Sequence, residues 1–212
     1  MPTTLQNPPE HIAAPSESPS VKGFNDAAGP RLLTAADLAV LPDDLPSGAV
    51  KWELWDGRLT VMAPPGDNHA AVDSNIIAEL KIQGERAGHG KARTEVGIIL
   101  RRNPDCVLGP DATFIANASL PLRLSPEGYL ETIPELVVEV RSTNDTVREL
   151  ERKAAEFLAA GVKLVWVVDP LRSIVTVFRT GQAPQTLQPT DTLTAEGIIP
   201  DFKLTVADAL KT

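Results

Sequence analysis

The sequence predicts an α/β domain built on a mixed central β-sheet, with a helix packed on each face. Three observations carry that expectation. Leu164-Val-Trp-Val-Val168 is apolar at every position, as a central strand covered on both faces requires. Two segments, about 68–87 and 147–160, repeat apolar residues at helical spacing and can cover such a sheet. Shorter apolar and β-branched runs, bounded by glycine, proline or Asp-Gly, supply the neighbouring strands.

Composition sets the limits. A chain of 212 residues, 42% hydrophobic but only 4% aromatic, supports one α/β domain with an aliphatic core plus a tail, not two full domains. No run is long enough to span a bilayer, and the N-terminus lacks the basic flank and apolar core of a secretory signal. Cys106 is the only cysteine, so no internal disulfide forms, and a cytoplasmic location is expected. The formal net charge of −8 argues against a protein that coats nucleic acid through a broad basic face. One stretch reverses the balance: Arg86, Lys91, Arg93, Arg101 and Arg102 stand against Glu95 and Asp105. That cluster reads either as a phosphate-tracking surface or as a solvated strand face.

The elements follow in order. Residues 1–30 are rich in Pro, Ser, Ala and Asn and cannot bury enough apolar surface to offset ordering entropy, so a disordered tail is expected, with the domain over 31–212. Removing residues 1–28 is expected to leave the melting temperature unchanged; a truncated protein that unfolds many degrees earlier would place the tail in the core. Thr34 is positioned to cap a short helix over 35–41, ended by Pro42. Lys51-Trp-Glu-Leu-Trp55, Asp56-Gly57 and Arg58-Leu-Thr-Val-Met62 read as a hairpin, because Asp-Gly supplies the positive φ angles of a tight primed turn. The next helix, about 68–87, presents Val72, Ile76 and Leu80 as one stripe. Strands are expected over 94–100, 112–116 and 136–141, with a long loop over 117–133. Thr146 and Glu149 have capping-box spacing before a helix that Gly161 stops. After the central strand, Asp169-Pro170 turns the chain into Ile174–Phe178, and short strands and a helix near 206–210 close the domain.

Within this frame one carboxylate stands out. Glu139 lies inside Leu136-Val-Val-Glu-Val140, where a buried acid is costly unless it is paired or holds a metal. Strand alternation sends Val137, Glu139 and Arg141 to one face, so Glu139 and Arg141 read either as a metal-binding acid beside a cation or as a structural pair. Asp111 begins the strand over 112–116, which can lie alongside. Lys153 falls at the border of the stripe Val147, Leu150, Ala154 and Phe157; it reads either as a lysine reaching toward Glu139 or as an exposed pair with Glu149. Glu53 shares a hairpin face with Trp55, as a third oxygen donor or as the polar side of the hairpin. His69 reads as a capping or packed histidine, and Asp169 as a turn residue. Two acids and a nearby base suit a divalent cation and a phosphate. No phosphate-binding glycine loop, dinucleotide fingerprint or histidine-rich zinc pattern is present.

These motifs together resemble the Uma-type restriction-endonuclease family, bacterial domains of the PD-(D/E)XK nuclease superfamily. The resemblance runs over about 32–212. It rests on Leu33-Thr-Ala-Ala-Asp-Leu, Trp52-Glu-Leu-Trp-Asp-Gly, His69, Pro110-Asp111, Pro134-Glu-Leu-Val-Val-Glu139, Lys153, Gly161-Val-Lys-Leu-Val-Trp-Val-Val-Asp-Pro170 and Ile199-Pro-Asp-Phe-Lys-Leu204. It implies a restriction-endonuclease-like fold and Mg²⁺- or Mn²⁺-dependent hydrolysis of phosphodiester bonds, with DNA as the partner and no membrane. Assembly is left open, a homodimer included. By the same resemblance Asp111 and Glu139 are metal ligands, Glu53 is a further carboxylate, and Lys153 is the basic residue, supplied from the helix. Arg141, Phe157 and Asp201 depart from the family pattern without removing any of these groups. The competing expectation is a module that keeps the fold for binding or regulation without catalysis.

Overall fold

The structure, a computed structural model, describes residues 31–212 apart from Ser47 and Ala63. The expected tail over 1–30 lies outside the described residues. Leu32–Thr212 form one compact unit.

The described chain opens with α1 (Ala35–Leu38), capped by Thr34 and Asp37 in a reciprocal capping box. It stops three residues short of the expected Leu41. Two short paired strands, β1 (Asp44–Leu45) and β2 (Gly48–Ala49), lead into β3 (Lys51–Trp55) and β4 (Arg58–Met62). The hairpin turn uses Asp56 at φ 50° and Gly57 at φ 72°, the left-handed pair its sequence calls for. Next comes α2 (Asp67–Glu79), which widens into a π-helical stretch over Leu80–Glu85. Glycine is required at 84, because a Cβ there would sit 2.4 Å from the Phe114 ring.

Then follow β5 (Gly90–Thr94), β6 (Ile98–Arg101), β7 (Cys106–Leu108) and β8 (Ala112–Ala116). The long connection after β8 carries a 3₁₀ turn at Asn117–Ser119, and bridges pin Leu130 to Ile98 and Leu124. It leads to β9 (Leu136–Val140), one residue shorter than expected. The helix α3 (Val147–Ala160) starts at the Thr146–Glu149 capping box and ends at Gly161, φ 108°. The chain continues through β10 (Leu164–Asp169), β11 (Ile174–Arg179), β12 (Gln185–Leu187), β13 (Thr192–Leu193) and β14 (Leu204–Thr205), and closes with α4 (Val206–Ala209).

Six strands form the main sheet in the order β12-β11-β10-β9-β8-β5. β9 and β10 are parallel, joined by α3 as the crossover, and their neighbours are antiparallel, so the sheet is mixed as expected. A four-stranded sheet, β4-β3-β7-β6, is distinct from it. Strand alternation sorts the core. Leu136, Val138, Val140, Leu164, Trp166 and Val168 pack with Val72, Ile76 and Leu80 of α2 on one face. Val137, Val165 and Val167 pack with Leu150, Ala154 and Phe157 of α3 on the other, together with Ile98, Cys106 and Leu108 of the smaller sheet. Each such side chain, fully buried, contributes about 1.5–3 kcal/mol, so these two clusters hold both sheets and α3 in a fixed relation. A third cluster seats α1 against Leu54, Ile99 and Val107. The face of the main sheet covered by α3 is also the face to which Glu139 points.

Candidate active site

The site is assembled by three elements that the core locks together. From α3, Lys153 projects inward beside Leu150 and Ala154 and is 8% exposed. From β9, Glu139 shares its face with Val137 and is 4% exposed. From β3, Glu53 is 3% exposed, deeper than the rim position its hairpin suggests. Lys153 Nζ donates to Glu53 Oε1 at 2.8 Å and to Glu139 Oε2 at 3.3 Å. Glu53 also accepts from the indole Nε1 of Trp55 and from the backbone N–H of Gly109, each at 3.3 Å.

Asp111 comes from the residue before β8. The register pairs Ala112 with Val138, so one further step sets Asp111 opposite Glu139. Directly opposed positions have Cβ atoms about 5 Å apart. Asp111 Oδ2 accepts the Val140 backbone N–H at 2.7 Å, which ties the acid to the end of β9. Asp111, Glu139, Glu53 and Lys153 line one cavity of about 320 Å³. Arg141 does not join them: its guanidinium pairs with Asp169 at 2.9 Å and donates to the Asp145 carbonyl. The Glu139–Arg141 pairing that alternation allowed is replaced by the Glu139–Lys153 contact. Nor does Lys153 pair with Glu149, which serves the α3 cap. Arg141→Ala is expected to lower stability by roughly 1–3 kcal/mol, as loss of a charged hydrogen bond does, while leaving any cleavage near the wild-type rate.

Electrostatics follow from burial. Burial, reinforced by Asp111 and Glu53 and only partly opposed by Lys153, raises the Glu139 carboxyl to about 8. Burial would lower the Lys153 ammonium, but Glu139 and Glu53 hold it above its ordinary value. Three carboxylates thus face one lysine. Glu139 Oε1 is buried without a partner, a costly state for an acid that has no further role.

Sequence reasoning missed part of the site. His69, read as a capping or packed residue, lines the cavity, and its Nε2 lies 3.3 Å from Asp111 Oδ2. The cap of α2 is Gly66 instead. Burial acts to lower the His69 imidazole, yet the contact with Asp111 raises it above its ordinary value. One helical turn on, Asp73 is pushed up to about 6 by burial and by Asp111. The i,i+4 spacing of His69 and Asp73 was the available signal.

The donor chemistry suits a hard divalent cation, with carboxylate oxygens from Asp111 and Glu139 and one Glu139 oxygen uncommitted. Among the described residues, no three His, Cys, Asp or Glu side chains form a metal-holding cluster. In this arrangement Lys153 takes oxygens of Glu53 and Glu139, and Val140 takes one of Asp111. Cys106 plays no part in this chemistry. It is fully buried, and burial raises its thiol to about 11. Iodoacetamide at pH 8 is expected to label it only after denaturation; rapid labelling of the folded protein would contradict that.

The basic run over 86–105 is largely neutralised. Glu85 pairs with Lys91 and Arg93, Arg101 with Asp56 and Glu156, and Arg102 with Asp105, Glu127 and Glu131. No helix among the described residues is long and apolar enough to cross a membrane.

The fold is shared with a nuclease-like structure. A crystal structure described as "a putative nuclease belonging to DUF820" from Anabaena variabilis superposes with a TM-score of 0.69, covering 84% of this chain and 97% of that one at 17% identity. At that identity the likeness defines the α/β fold, with its mixed sheet flanked by helices. The chain belongs to the Uma2 family, described as "Putative restriction endonuclease", which it matches over residues 39–207. Among curated proteins no match is found.

Proposed function

We propose that the protein is a Mg²⁺- or Mn²⁺-dependent endonuclease that hydrolyses phosphodiester bonds in DNA. Family membership and fold support a nuclease-like protein in general. The observation that carries the finer reading is Glu139: an almost fully buried acid, set opposite Asp111 and bonded to Lys153, with one carboxylate oxygen uncommitted. A structural ion pair needs no second acid across the sheet, and a bare oxygen on so deeply buried an acid is costly unless something binds it.

In this reading Asp111 and Glu139 hold the cation, and Glu53 is the further carboxylate of the set. When bound, a divalent ion supplies charge neutralisation at the phosphate and a more acidic water. Glu53 also fixes Lys153 in place, at 2.8 Å, so that its ammonium faces the cavity without reorganising during reaction. Lys153 stays protonated and offers its charge to the phosphate oxygens. Trp55 and the Gly109 N–H in turn hold Glu53, and His69 lies against the same Asp111 oxygen, Oδ2, that the Val140 N–H fixes. A cytoplasmic location and DNA as the partner belong to the same proposal.

The test is cleavage of supercoiled plasmid and of single-stranded circular DNA in Mg²⁺ and in Mn²⁺, with an EDTA control. Metal-dependent nicking or linearisation that disappears in Asp111→Asn supports the proposal. A purified, folded protein that binds DNA without cutting in either metal would instead support a non-catalytic binding module.

A further inference from the structure

One face of the hairpin that carries Glu53 borders the site, and its register defines a path. Lys51 pairs with Met62, Glu53 with Thr60, and Trp55 with Arg58, so these six side chains lie on one face in that order. Glu53 and its partner Lys153 stand at the middle. Toward Lys51 lies the 320 Å³ cavity of the acidic site. Toward Trp55 lies a second, larger cavity of about 650 Å³ between the hairpin and the N-terminal half of α3. Both cavities are lined by Glu53, Met62 and Lys153. From Lys51 to Trp55 the strand rises about 13 Å.

The second cavity has a distinct chemistry. Its acids are engaged: Asp56 with Arg101, Asp145 with the Ser142 N–H, and Glu149 with the helix cap. Its outer cations are not. Arg58 and Arg152 are exposed and make no ion pair among the described residues, in contrast to the paired arginines of the 86–105 run. The Arg152 guanidinium lies 4.3 Å from the centroid of the Trp55 ring, and the Trp55 N–H is anchored on Glu53. An aromatic ring with a guanidinium over it and a free arginine, next to a proposed phosphate site, offer a platform for a base and a contact for a phosphate.

Resting on the nuclease reading above, we infer that this second cavity receives single-stranded nucleic acid. One base would stack at Trp55–Arg152 and one phosphate would meet Arg58, adjacent to the bond held at Lys153. A cavity of 650 Å³ is the size of a small-ligand pocket and suits a nucleotide, not a duplex. Duplex binding also draws on many free cations, whereas the chain carries −8 and pairs most of its basic run. A single strand relies on fewer charges because stacking adds to them. The inferred substrate is therefore single-stranded or locally unpaired DNA.

The experiment measures fluorescence anisotropy of the full chain with a fluorescein-labelled oligothymidylate and with a duplex of equal length. Ca²⁺ replaces Mg²⁺, since it takes the same oxygen ligands. The wild type should bind the single strand more tightly than the duplex. The Arg58→Ala/Arg152→Ala double variant, altered only at exposed positions, should bind the single strand about tenfold more weakly and with a salt slope shallower by roughly 0.7 per lost phosphate contact. Trp55→Phe, which keeps a ring, should bind more tightly than Trp55→Ala. Tighter duplex binding, or single-strand affinity unchanged in the double variant, overturns the inference even if the wild type cuts DNA. Single-strand binding that depends on Arg58 and Arg152, without cleavage of any DNA in Mn²⁺, keeps the subsite and removes the nuclease reading.

Discussion

Replacing Lys153 with alanine is expected to lower the melting temperature by roughly 10 °C, because breaking a buried ion pair from one side costs about 3–5 kcal/mol. The ammonium is the only cation bonded to either Glu53 or Glu139 among the described residues, and all three side chains are less than a tenth exposed. Without it, two carboxylates are left in one buried space beside Asp111. Lys153→Met should be nearly as damaging, since it restores volume but not charge. The loss should shrink as pH falls toward 5, because a protonated carboxyl needs no counter-ion. Cleavage should vanish in both variants. Thermal melts at pH 5 and pH 8 in EDTA check the stability claim; a variant as stable as the wild type at pH 8 would show that the pair is not buried.

Glu139→Gln should behave in the opposite way. The amide keeps the shape and can still accept from Lys153, which retains Glu53 at 2.8 Å. The sign of the pH effect follows from the raised carboxyl. In the metal-free folded protein Glu139 titrates near 8, against an ordinary value of 4.5, so between these values the folded state binds more protons than the unfolded one. Stability therefore falls as pH rises from about 4.5 to about 8, and the full penalty stands above that window. Lys153 does not blur this window: its raised value keeps its stabilising charge in place below the ordinary 10.5. Glutamine has no such penalty. In EDTA the variant should match the wild type within about 1 kcal/mol near pH 5 and exceed it above pH 8, because a buried charge is removed. Its cleavage rate should fall by a factor of about 100 or more, as losing a preorganised charge contact does. A Glu139→Gln protein that melts earlier than the wild type at pH 9 while still cutting DNA would make Glu139 a structural partner.

Much of this arrangement was legible in the chain. The all-apolar Leu164–Val168 run required a central strand, the Thr146–Glu149 spacing and Gly161 bounded α3, and Asp56-Gly57 required the hairpin. Alternation placed Glu139 on one face, and helical spacing brought Lys153 to the border of the buried stripe. What the chain could not show was depth and partner choice. Glu53 reads as the polar side of an amphipathic hairpin until the four-stranded sheet is packed against α3, and only then is it 3% exposed and bonded to Lys153. Arg141, two residues from Glu139, looked like its natural neighbour, but β9 ends at Val140 and the chain turns the guanidinium to Asp169. His69 reads only as a capping or packed histidine, and Asp73 as nothing in particular, because their partner, Asp111, lies about forty residues away in sequence and meets them only in the folded protein. Local spacing reports on faces; long-range register decides which faces meet.

In the proposed nuclease, Asp111 and Glu139 form a cation site beside Lys153. The most direct test of that site is calorimetric titration of Mn²⁺ into the folded, metal-free protein, alongside Asp111→Asn and Glu139→Gln. Saturable binding to the wild type is expected, tightening as pH rises through about 8 as Glu139 loses its proton, with no measurable binding to either variant. Absence of binding to the wild type, or equal binding to all three proteins, would contradict it.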